Sequence, residues 1–168
     1  FNAALEICGG LNGLCEAITK QLGLTPDETA QKVLNNSVLE IAFDRNGLHT
    51  AVLALENGTR TDKDRAGILK QWLEGDDEYR LSIIEGKYQS IFLKKDGELK
   101  TQKSIITKKP SEQSPEAVSA LFSEQDRMYK LSERLKAISV AKSTRVLITL
   151  ASELIGEYER LKRNRMQL

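Results

Sequence analysis

Residues 38–55 read Val38-Leu-Glu-Ile-Ala-Phe43, then Asp44-Arg-Asn46-Gly47, then Leu48-His-Thr-Ala-Val-Leu-Ala-Leu55. The fold class turns on this stretch. An Asn-Gly pair between two apolar runs is the preferred two-residue hairpin turn, because both central positions of a type I′ turn need positive φ. On that reading Phe43 faces Thr50, Ile41 faces Val52 and Leu39 faces Ala54. The other face pairs Asp44 with His49, Ala42 with Ala51, Glu40 with Leu53 and Val38 with Leu55. The first face is apolar and is expected to meet the core.

Working toward the C-terminus, Asn57-Gly58 ends the hairpin. Thr61-Asp-Lys-Asp64 starts a short helix with Ile68, Leu69, Trp72 and Leu73 on one side, and Gly75-Asp76-Asp77 stops it. Three short strands are expected as a meander at about 80–85, 88–94 and 98–107, turning at Gly86-Lys87 and Asp96-Gly97. The fold class that follows is α+β: an antiparallel sheet of about five strands covered by helices. Working toward the N-terminus, Thr25-Pro26-Asp27-Glu28 is a capping box with proline at the first helical position, so a short helix is expected from there to Asn35-Asn36. Residues 2–22 read as an amphipathic helix with Ala4, Cys8, Leu11, Cys15, Ile18 and Leu22 in four-three steps. Gly9, Gly10 and Gly13 are costly inside it, about 1 kcal/mol each. Either another backbone approaches closely there or the helix breaks at Gly9-Gly10.

Residues 110–114 read as a linker, and Ser114-Pro115-Glu116 opens a further helix. Met128, Leu131, Leu135 and Ile138 make one apolar stripe; Leu147, Ala151, Leu154, Tyr158 and Leu161 make another. The stripes change phase through Ser139–Thr144. Residues 115–168 are therefore expected to form a helical hairpin packed on the N-terminal helix, beside an α+β domain of residues 1–109. One continuous helix of about 50 residues, roughly 75 Å long, is the alternative.

Composition bounds the rest. The chain has 168 residues, is 40% hydrophobic and 29% charged, and carries a net charge of +1. This excludes a collagen, a disulfide knot, a membrane channel and a wholly disordered tail, and no apolar run reaches the roughly 18 residues of a membrane span. Cys8 and Cys15 stand two helical turns apart, too far to pair on a helix, which points to a reducing, cytoplasmic compartment. The chain begins at Phe1 without methionine, as a piece of a longer protein would.

Chemistry-bearing residues are sparse. Asp44 and His49, as cross-strand neighbours, are the only acid–imidazole pair that can be placed, and no nucleophile stands beside them. One His and two Cys supply no zinc spacing. Asp62-x-Asp64-x-Ala66-Gly67 is similar to the start of a calcium loop, but Ala66 and Leu73 stand where oxygen ligands are needed. Neither of the glycine-rich phosphate motifs is present. No cofactor is expected, and both cysteines lie on the apolar seam. Seven lysines fall between residues 87 and 109 against Asp96 and Glu98. With Tyr88 and Phe92 on one strand face, Lys94, Lys95, Lys100 and Lys103 could serve nucleic acid. Lysine also guards sheet edges.

The order helix, hairpin, helix, three-stranded meander, helix resembles the roadblock and longin type of module. The similarity is carried by Val38–Leu55 and by Leu81–Ile106, around Ile84-Glu-Gly-Lys-Tyr88 and Lys95-Asp-Gly97. The helix after Asp62 is shorter than that family's, and the tail after 115 is extra. Class I secretion chaperones are a second resemblance. Both resemblances imply a fold that binds proteins and does no chemistry. The expected function is a non-catalytic interaction module (adaptor, chaperone or regulatory domain) that binds a protein partner or forms a homodimer through Leu147, Leu154, Tyr158 and Leu161. A nucleic-acid-binding domain, and an enzyme fragment using Asp44 and His49, are the alternatives.

Overall fold

A computed structural model describes residues 1–166. The chain is 81% helical, and its only β feature among the described residues is one isolated bridge. The expected α+β class is therefore corrected: the described residues form an all-helical fold, and the expected antiparallel sheet of about five strands is not formed.

The correction begins in the opening stretch. Helix α1 spans Asn2–Cys8, α2 Leu11–Gln21, α3 Ala30–Val38 and α4 Arg45–Glu56. Asn46-Gly47 is thus the first turn of α4, not a hairpin turn. Asp44 caps the helix, its carboxylate accepting from the Gly47 N–H at 3.0 Å. Leu48, Ala51, Val52 and Leu55 are all buried, at the i, i+3, i+4, i+7 spacing of one helical face. Ala51–Val52 and Ala54–Leu55 are adjacent buried pairs, which a strand with one wet face cannot produce because its side chains alternate. The first expected strand becomes the end of α3 and a 3₁₀ turn at Glu40–Ala42. Ile41, expected in the core, is 93% exposed.

The expected meander is also helical. Helix α5 (Arg60–Glu74) is followed by α6 (Asp77–Ile83), a π turn at Ile84–Tyr88 and α7 (Gln89–Phe92). The chain passes through Gly86-Lys87 without reversing. Asp96-Gly97 does turn the chain: Gly97 has φ 86°, the Lys94 N–H donates to the Glu98 carbonyl at 2.8 Å, and Leu93 and Leu99 form the lone antiparallel bridge. Two short helices, α8 (Gln102–Ile105) and α9 (Lys108–Gln113), lead into α10, which runs unbroken over Pro115–Met166. The continuous alternative is the one formed, and most of the expected linker lies in α9.

Contacts divide the chain into two compact units, one of Gln31–Arg134 and one of Phe1–Ala30 with residues from Leu135 onward. The expected boundaries lay at 110 and 115. The larger unit is built around a row of rings. Trp72 stacks on Tyr88 at 3.9 Å, with Phe43 and Phe92 edge-on at 5.5 and 5.6 Å from Trp72 and Tyr88 respectively. The Trp72 indole N–H has no acceptor, a cost of about 1–3 kcal/mol that full burial of the ring outweighs. Two arginines satisfy carbonyls that helix ends leave orphaned. Arg80 donates to the Val38 and Trp72 carbonyls at 3.3 and 3.0 Å, and Arg127 donates to the Ser37 carbonyl at 2.9 Å. They tie the end of α3 to α6 and α10. Gln125 clamps the Asp96-Gly97 turn segment through the Phe92 and Lys100 carbonyls.

In the smaller unit, helix α1 stops at Gly9, whose φ of 73° is the left-handed conformation of a helix end. A side chain at Gly13 would put its Cβ 1.7 Å from the Cys8 carbonyl oxygen. Both sequence alternatives hold together: the helix breaks, and the broken ends approach closely.

Candidate functional site

Each chemistry-bearing group expected from the sequence is accounted for locally. Asp44 is spent on the α4 cap, and His49 lies five residues further along the same helix, exposed. At 100° per residue the two point about 140° apart, so the cross-strand pair does not exist. Asp62 is fully buried and completes a capping box with Thr59 at the start of α5. Its carboxylate also takes the Thr107 N–H at 3.2 Å, the Thr107 hydroxyl, and Arg65 at 3.0 Å. Burial works to raise this carboxyl, but the hydrogen bonds from Thr107 and Thr59 outweigh it and hold it below the ordinary value. No group of three metal-ligating side chains forms among the described residues. Cys8 and Cys15 are unpaired, and Cys15 is buried.

The lysine-rich segment is less available than its sequence suggests. Lys94 pairs with Glu98 at 2.6 Å, and Lys100 donates to the Ser90 carbonyl. Lys95 and Lys103 are exposed. Tyr88 and Phe92 are fully buried and give no face on which a base could stack.

A cleft of about 370 Å³ opens in the larger unit between Ile41, Phe43, Asp44, Ser123, Glu124 and Arg127. Its polar floor is already paired. Tyr88 donates to Glu124 at 2.6 Å, and Glu124 accepts from Arg127 through both carboxylate oxygens. Burial, then the Glu124 charge, pushes the Tyr88 hydroxyl well above its ordinary range. Such a group holds its proton and donates a structural hydrogen bond; it is not a base near neutrality.

The candidate site is instead apolar and lies on α10. Leu147, Leu154, Tyr158 and Leu161 are 66%, 72%, 67% and 55% exposed. Val140, Val146 and Leu150 extend the patch, each about half exposed. The second face of the same helix, Ala137, Ala141, Ile148, Ala151, Ser152 and Ile155, is half-buried. The sequence stripe thus mixed two faces: Ala151 belongs to the half-buried one. Val140 and Leu150 were missed: Val140 is found by the seven-residue recurrence Val140, Leu147, Leu154, Leu161, and Leu150 stands one helical turn after Leu147. No helix among the described residues is long and apolar enough to cross a membrane.

Comparison with family models, with curated proteins and with solved structures finds no match to this chain.

Proposed function

We propose that the chain is a non-catalytic protein–protein interaction module whose contact surface is the exposed row of α10. The observation that carries this is the half-to-three-quarters exposure of Val140, Leu147, Leu154, Tyr158 and Leu161 along one side of a helix whose other side is half-buried. Single exposed leucines are ordinary on a protein surface, but a contiguous row of them marks a face that is covered in use. Helical partners are recognised through such i, i+3, i+4, i+7 rows. The chemistry-bearing side chains support the same reading, since the acids and the phenol best placed for catalysis are committed to caps and buried pairs.

Leu154→Asp tests it. The residue is exposed, so the variant is expected to keep the wild-type helical circular-dichroism spectrum. It is expected to lose the associations of the wild type, read as solution mass by light scattering and as proteins retained on the immobilised chain. A wild type that associates with nothing, or associations that Leu154→Asp keeps, would overturn the proposal.

A further inference from the structure

We draw no further inference here: the strongest candidate, the exposed row of Leu147, Leu154 and Leu161 on the surface of α10, is an unpartnered apolar face, and nothing in the structure shows what covers it.

Discussion

Arg80 and Arg127 do what apolar side chains could not do at the end of α3. The carbonyls of Ser37 and Val38 would otherwise be buried without donors, and each guanidinium also lies over the Phe43 and Trp72 rings at 5.1 to 6.0 Å. Burial works to lower the Arg127 pKa, but Glu124 and Tyr88 together raise it above its ordinary value, so this cation is held in its charged form. Asp62 is the anionic counterpart, joining the start of α5 to Thr107 ahead of α9. Its folded-state pKa lies below the unfolded value near 3.8. The stabilisation is therefore complete above that value and is lost as pH falls through the folded pKa. Asp62→Asn is expected to cost about 2 kcal/mol at neutral pH, the scale of buried hydrogen bonds to a charged group. The gap from wild type should hold above that unfolded value near 3.8 and narrow only as the pH falls below it. Urea midpoints of both proteins across that range check this; a gap independent of pH would contradict it. The pairings of Arg80 with Val38, Asp62 with Thr107 and Arg127 with Ser37 could not be read from the sequence, because they join residues 42, 45 and 90 positions apart.

At the scale of elements, α4 carries the main lesson. Asn46-Gly47 has the chemistry of a hairpin turn, but Asp44 three residues before Gly47 equally makes a helix cap, and local chemistry does not choose between them. The packing of both members of Ala51–Val52 and Ala54–Leu55 does choose, and that is a tertiary fact. The two readings differ in what they expect of substitution. In a type I′ turn Asn46→Ala would be harmful; on the exposed first turn of α4 it is expected to change stability by at most a few tenths of a kcal/mol. Asp44→Ala is expected to cost about 1 kcal/mol through loss of the cap. Thermal or chemical denaturation of the two variants checks the contrast, and a larger loss at Asn46 would revive the hairpin. The helix expected from Thr61, with Leu69, Trp72 and Leu73 on one side, forms as α5, although its cap is Thr59 with Asp62 and lies two residues earlier. The Asp96-Gly97 turn was legible too, though it joins a single bridge and not two strands. The break between α1 and α2 was foreshadowed by Gly9-Gly10.

For the whole molecule, the expected division into a sheet domain and a helical appendage gives way to two helical units, with α10 contributing to both. The phase change near Ser139–Thr144, read as a bend between two helices, falls within the continuous helix α10, close to where it passes from one unit to the other. Residues before it, such as Leu121, Met128 and Leu131, are buried in the larger unit. Residues beyond it are half-buried on one side and expose the leucine row on the other. The partner-binding residues named from sequence, Leu147, Leu154, Tyr158 and Leu161, fall on that exposed row. Its neighbours Val140 and Leu150 did not emerge, because a sequence pattern shows that a stripe exists but not which of two faces meets the rest of the chain.

The most direct test of this account is hydrogen exchange along residues 140–161 as a function of protein concentration, in the wild type and in Leu154→Asp. Protection of these amides in the wild type is expected to rise as the row becomes covered, whether at raised concentration or on adding the proteins that the immobilised chain retains, and to stay low in the variant under both conditions. Protection that is equal in the two proteins under both conditions would contradict the interaction reading.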